Sequence, residues 1–62
     1  MASYTLFVHD DRYSVPTFYI VSVADEGRAL ELADEKLRSS PHYLRVEVFD
    51  DDRLVGALDR EI

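Results

Sequence analysis

Two strand-like segments of this chain are apolar on both faces, although the sequence pattern provides only one helix to cover them. In residues 17–24 and 42–50, apolar or aromatic side chains occupy both sets of alternating positions: Phe18, Tyr19, Ile20, Val21 and Val23 in the first segment, and Tyr43, Leu44, Val46, Val48 and Phe49 in the second. Because a sheet needs cover for each apolar face, one face is either left partly exposed or covered by another chain.

The small size of the chain favours association. The 62 residues form one predicted domain, 1–62, and a domain of this length buries only about 60% of the surface that its unfolded chain exposes. A core of this size rarely contributes more than about 3–5 kcal/mol, and with no cysteine the chain has neither a disulfide nor a thiolate metal site. Hydrophobic residues at 47% and charged residues at 32% are typical of a globular chain.

The charge balance argues against nucleic acid as a direct partner. Thirteen acidic residues against seven basic ones give a net charge of −6, which repels a phosphate backbone. Residues 1–4 lack a basic leader, and no apolar run approaches the roughly 20 residues that span a bilayer. We therefore expect a cytoplasmic protein without membrane contact, and its preference for arginine over lysine is typical of GC-rich bacterial genomes.

The hydrophobic pattern predicts four strands. Alternation over 3–9 indicates the first, and the polar segment 10–16, which ends in a proline, interrupts it. Strand-forming residues resume over 17–24, but the core face of this strand stays open because both faces are apolar. The third strand covers 42–50 and the fourth 53–59, where Gly56 indicates a bulge or a close backbone approach.

One helix is predicted between the second and third strands. Asp25 suits the N-cap, Asp34 and Arg38 form an i,i+4 ion pair, and the segment 39–41 ends the helix. Four apolar residues form a stripe about 100° wide: Ala29, Leu30, Ala33 and Leu37. We expect this stripe to pack on three residues of the third strand: Leu44, Val46 and Val48.

This order predicts an α+β fold with a single four-stranded sheet, in ββαββ order, and one helix on one face. The layout resembles a small β-grasp domain, in which the first and last strands pair in parallel in the middle of the sheet. An all-antiparallel order, with the first or last strand placed differently, fits the sequence almost as well. The chain also resembles small uncharacterised bacterial ββαββ proteins through four segments: the aromatic strand 4–8, the paired acids 10–11, the Ala/Leu helix 29–37 and the strand 46–48 with its acidic turn 50–52. Neither resemblance carries a functional site.

The acidic turns and histidines are weak candidates for chemistry. Asp50 to Asp52 lack the spacing that directs oxygens to one cation, and His9 beside Asp10 and Asp11 offers only one imidazole. His42 lies close in sequence to Ser39 and Ser40, a combination that helix capping and strand entry explain better than catalysis. Two glycines cannot build a phosphate-binding loop. We expect no metal, no cofactor and no enzymatic activity.

The remaining candidate is an aromatic contact surface. We expect four rings to share the sheet face opposite the helix: Phe7, Tyr19, Tyr43 and Phe49. Arg45 and Glu47 would border them, giving the composition of a protein contact, although the rings could instead shield one another in cross-strand pairs. The sequence favours a non-enzymatic interaction domain that forms a homodimer, or binds another protein, through this face or an edge strand. The alternative is an acidic inhibitor that imitates nucleic acid, such as a phage-encoded antagonist of a nucleic-acid-binding protein.

Overall fold

The computed structural model describes residues 2–60, which form four strands and one helix in the predicted order. The elements are β1 (Ala2–Asp10), β2 (Thr17–Val23), α1 (Glu26–Arg38), β3 (Tyr43–Asp50) and β4 (Arg53–Asp59). The strands form one sheet in the order β2-β1-β3-β4, and all three pairings are antiparallel. Of the two arrangements that fit the sequence, the structure therefore shows the all-antiparallel one. Strand β1 lies between β2 and β3 and does not pair with β4, so the parallel pair of the β-grasp layout is not formed.

Local signals in the sequence fix both ends of the helix. At its start, the main-chain N–H of Arg28 donates a hydrogen bond of 2.9 Å to Oδ1 of Asp25, which confirms this residue as the N-cap. At its end, the hydroxyl of Ser39 donates to the carbonyl of Lys36 at 2.6 Å. The predicted Asp34–Arg38 pair is also formed, at 3.2 Å. The described helix, with 13 residues, is too short to cross a membrane.

The core lies between the helix and one face of the sheet. Its buried apolar side chains come from the helix and three strands: Tyr4, Leu6, Val8, Val23, Ala29, Ala33, Leu37, Val46 and Val48. Leu30 is only partly buried at its border. Alternate residues of β1 face the core, and the series ends at Asp10, whose buried carboxylate pairs with the half-exposed guanidinium of Arg12.

The prediction that Leu44 lies under the helix is wrong. His9 lies opposite Arg45, but the next residue, Asp10, lies opposite Tyr43, so Leu44 is an extra residue in β3. Such a bulge re-aims the neighbouring side chains. Leu44 is left 47% exposed, and Tyr43 turns toward the helix side, where it packs against the core.

The second irregularity is at Gly56, as the sequence predicted. The register of β3 and β4 shifts so that Val48 lies opposite Gly56 and Phe49 opposite Leu54, which makes Val55 the extra residue. A Cβ atom added to Gly56 would lie 2.9 Å from a methyl group of Leu30. The missing side chain therefore lets the helix approach β4 closely.

Candidate interaction surface

The sheet face opposite the helix, here called the open face, carries three phenylalanine rings in contact. The ring of Phe7 meets that of Phe49 edge-on, with centroids 5.3 Å apart and an interplanar angle of 88°. On its other side it contacts Phe18 at 6.2 Å in a tilted arrangement. Both separations lie in the range preferred by aromatic pairs. These three residues form a continuous aromatic strip across β2, β1 and β3.

Two aliphatic side chains extend the strip toward both edges of the sheet. Ile20 and Phe49 both lie opposite Thr5, and Leu54 lies opposite Phe49. Residues directly opposite one another share a face, so Ile20 and Leu54 belong to the open face. Phe18, Ile20 and Leu54 are 60%, 69% and 50% exposed, respectively. None of the other elements in residues 2–60 packs over this face.

The prediction that Tyr19 and Tyr43 share the open face is wrong. Tyr19 lies opposite Leu6, a core residue, and Tyr43 lies opposite the buried Asp10 because of the bulge at Leu44. Both rings therefore lie on the helix side of the sheet. Of the four predicted residues, only Phe7 and Phe49 belong to the open face.

Sequence reasoning missed three members of the open face: Phe18, Ile20 and Leu54. The signal that could have placed them is strand register. Once the odd-numbered residues of β1 are assigned to the open face, antiparallel pairing assigns the even-numbered residues of β2 to it as well. That pairing depends on how the connecting segment 11–16 closes, which the residue pattern does not specify.

A polar cluster borders the aromatic strip, and the predicted residues Arg45 and Glu47 are part of it. The Nε2 atom of His9 lies 2.6 Å from Oε1 of Glu47. Arg45 donates to both carboxylate oxygens of Asp59 at 2.7 and 2.8 Å, and this hydrogen bonding raises the pKa of Arg45. The open face thus has an apolar part and a charged border, as protein contact surfaces have.

A groove of about 340 Å³ runs along the helix side of β2. Its apolar walls come from Tyr19 and Val21 on the strand and from Leu32 on the helix. The ammonium group of Lys36 lies at its rim, 4.2 Å from the centroid of the Tyr19 ring. Because the helix packs mainly against β3 and β4, it leaves this side of β2 only partly covered.

Several of the acidic and histidine candidates are engaged in local contacts. Asp50 is paired with Arg53 at 3.3 Å, and the carboxylate of Asp10 is held by the guanidinium of Arg12 at 2.6 Å. Among the residues that the structure describes, no group of three or more histidine, cysteine, aspartate or glutamate side chains is arranged to hold a metal ion.

The hydroxyl groups near His42 serve the main chain. The imidazole of His42 contacts Asp11 at 3.0 Å, while Oγ of Ser40 accepts a hydrogen bond from the main-chain N–H of His42 at 3.2 Å. The hydroxyl of Ser39 is bound to a helix carbonyl. These contacts cap the helix and lead the chain into β3.

No family model matches the chain, and no curated protein or solved structure is significantly similar to it. Its function is therefore inferred from the surface itself. The apolar strip on the open face and the apolar groove beside β2 both suit contact with another apolar surface.

Proposed function

We propose that this protein is a small, non-enzymatic interaction domain that self-associates through the uncovered apolar surface of its sheet. The observation that carries the proposal is the aromatic strip, in which Phe7 and Phe49 are partly buried and Phe18 is exposed, extended by the exposed Ile20 and Leu54 on a face that no other described element covers. Contiguous apolar patches with a polar border mark protein contact sites. Scattered single apolar residues would not support this conclusion, since they are common on every protein surface.

Association would also stabilise a domain whose own hydrophobic core is small. Apolar surface removed from water contributes about 25 cal/mol per Å². The buried core of residues 2–60 contains one aromatic side chain, Tyr4, among aliphatic ones, whereas the phenylalanine rings lie on the open face. A second copy would bury the larger apolar side chains that the monomer leaves in contact with water.

The alternative function, an acidic mimic of nucleic acid, receives less support from the placement of the acids. Its motivation is the net charge of −6. On the helix, however, Glu31 pairs with Arg28 at 3.1 Å and Asp34 with Arg38 at 3.2 Å. A phosphate-like surface needs a run of uncompensated negative charge. Interleaved ion pairs interrupt such a run here.

Sedimentation of the pure protein over a range of concentrations tests the proposal. We expect a reversible dimer whose dissociation constant does not rise with salt, because apolar contacts are not screened and salt weakens the repulsion between two chains of net charge −6. Phe18→Ser should weaken the dimer, while Tyr13→Ser, an equally exposed ring in the segment 11–16, should leave it unchanged. A wild-type protein that stays monomeric at millimolar concentration would refute self-association, and salt-sensitive capture of a basic protein would favour the acidic mimic.

A further inference from the structure

We propose that His9 makes self-association through the open face depend on pH, with the protonated imidazole favouring the dimer. Histidine is the side chain that changes its charge between about pH 5 and 8. This inference rests on the proposed self-association and adds the regulation of that contact. It concerns the polar side chains beside the aromatic strip, here called the border cluster: His9, Arg45, Glu47 and Asp59.

The border cluster directly adjoins the aromatic strip. Glu47 lies opposite Phe7, the central ring of the strip. Arg45 lies opposite His9 on β1 and opposite Asp59 on β4. Because residues directly opposite one another share a face of the sheet, the whole cluster belongs to the open face. A second copy that covers the ring of Phe7 therefore also comes close to the carboxylate of Glu47.

The net charge of the border cluster depends on one proton. When His9 is neutral, the positive charge of Arg45 stands against two carboxylates, those of Glu47 and Asp59, and one negative charge is left uncompensated. Protonated His9 supplies the missing positive charge. Arg45 stays charged in both cases, because its hydrogen bonds to Asp59 raise its pKa. The cluster is thus negative at alkaline pH and balanced at acid pH.

The contact between His9 and Glu47 needs no rearrangement to take up this proton. The Nε2 atom of His9 lies 2.6 Å from Oε1 of Glu47, and Nε2 carries a hydrogen both in the imidazolium and in one neutral tautomer. The two side chains are 37% and 23% exposed, respectively, so the imidazole exchanges protons with water in the monomer. The two protonation states therefore differ in charge and not in the shape of the open face.

The other charged groups near the end of β1 are engaged elsewhere. Asp10 is paired with Arg12, and Asp11 contacts His42. Strand β2 contributes no acidic, basic or histidine side chain, and the helix packs on the opposite side of the sheet. The effect of protonating His9 on the open face is therefore set by the border cluster.

An uncompensated charge opposes association more than a balanced cluster does. When two open faces meet, both border clusters lie near the contact and lose part of their water, which costs most for a charge without a partner. Each chain already carries a net charge of −6, and protonation of His9 removes a unit of negative charge close to the contact. Because binding and protonation are linked, the dimer should tighten as the pH falls.

Sedimentation at about pH 5.5 and at about pH 8 tests this coupling. We expect the dissociation constant of the wild-type dimer to be at least about fivefold lower at the acid pH. His9→Gln keeps a hydrogen-bond donor but cannot titrate, so its two dissociation constants should agree within about twofold. The matched control is His42→Gln, which removes the other histidine of the chain, bound to Asp11 outside the border cluster. It should respond to pH as wild type does.

A second variant changes the sign of the local charge. With Glu47→Gln, the border cluster is balanced when His9 is neutral and positive when His9 is protonated, so acid pH should no longer tighten the dimer. A purely structural role of Glu47 would leave the response to pH in place. Circular dichroism at both pH values establishes that the variants are folded.

Two outcomes separate the regulation from the association itself. If wild type dimerises equally at both pH values, or if His9→Gln responds to pH as wild type does, control by His9 is refuted while self-association stands. A wild type that is monomeric at millimolar concentration at both pH values refutes both.

Discussion

The ammonium group of Lys36 lies 4.2 Å from the centroid of the Tyr19 ring, and the ring of Tyr43 lies 5.6 Å from the same ammonium group. The only lysine of the chain thus connects the last turn of the helix to two strands of the sheet. An ammonium group over an aromatic face is attracted by the ring quadrupole. This contact links the helix to two tyrosines that strand register places on the helix side.

We expect Lys36→Met to lower the free energy of unfolding by about 0.5–1 kcal/mol, because it keeps the aliphatic stem but removes the cation–π contact. The loss of a favourable charge near the helix C-terminus adds to this effect. A double-mutant cycle with Tyr19→Leu separates the two contributions, measured by urea denaturation. If Lys36→Met costs the same in the Tyr19→Leu background, the contact with the ring contributes nothing.

The same substitution should have different effects on stability at Leu37 and at Leu44, although the sequence analysis placed both leucines between the helix and the sheet. Leu37→Ala should destabilise the protein by about 2–4 kcal/mol, because it leaves a cavity beneath the helix. Leu44→Ala should cost less than about 1 kcal/mol, because the bulge leaves Leu44 half exposed. Both changes remove the same atoms, so thermal or urea denaturation of the two variants compares their environments directly. Equal losses would contradict the described position of Leu44.

The local structure was predictable from the sequence, because the signals that set it are local. The residue at the N-cap, the helical stripe and the two-residue alternation predicted every element to within two residues of its observed bounds. Gly56 predicted the close approach in β4. Strand order was left between two arrangements, since pairing depends on contacts between residues distant in sequence.

The candidate surface was predictable only in part, for a related reason. Phe7 and Phe49 were placed correctly on the open face, because regular alternation governs the parts of β1 and β3 that contain them. Tyr43 was placed on the wrong face, because the extra residue Leu44 shifts the pairing of β3 with β1 at this end of the strand. Tyr19 belongs to a strand that is apolar on both faces, so only its partner in β1 determines which way the ring points.

Arg60 ties the end of β4 to the end of the helix. Its guanidinium group donates to three main-chain carbonyls: Tyr43 at 2.7 Å, Leu37 at 2.6 Å, and Ser40. Lysine cannot reproduce this planar set of donors. Arg60→Lys should therefore lower the free energy of unfolding by about 1.5–3 kcal/mol. Arg53→Lys, at an exposed ion pair, should change it by less than about 0.5 kcal/mol, and similar losses in urea denaturation would show that the carbonyl contacts are unimportant.

The turn between β3 and β4 depends on the backbone of Asp51. Its φ angle is 56°, in the left-handed region that side chains branched at Cβ disfavour. Asp51→Val should cost about 1–2 kcal/mol, whereas Asp51→Gly adopts this conformation freely. Both variants remove the same charge, so we expect the glycine variant to have the higher melting temperature. The reverse order would show that the carboxylate, and not the backbone, stabilises the turn.

Asp10 makes the stability of the protein depend on acid pH. The hydrogen bond from the Arg12 guanidinium lowers the pKa of Asp10 from 3.8 to about 2. A carboxyl group with a lower pKa in the folded state stabilises that state at pH values above its unfolded pKa. This contribution should be lost as the pH falls from about 4 to about 2. Urea denaturation at a series of pH values should therefore show a steep loss of stability there in wild type and a shallower one in Asp10→Asn. Asp52→Asn, in the exposed turn, should follow wild type, and an Asp10→Asn curve parallel to wild type would exclude the Asp10–Arg12 pair as the source of the acid sensitivity.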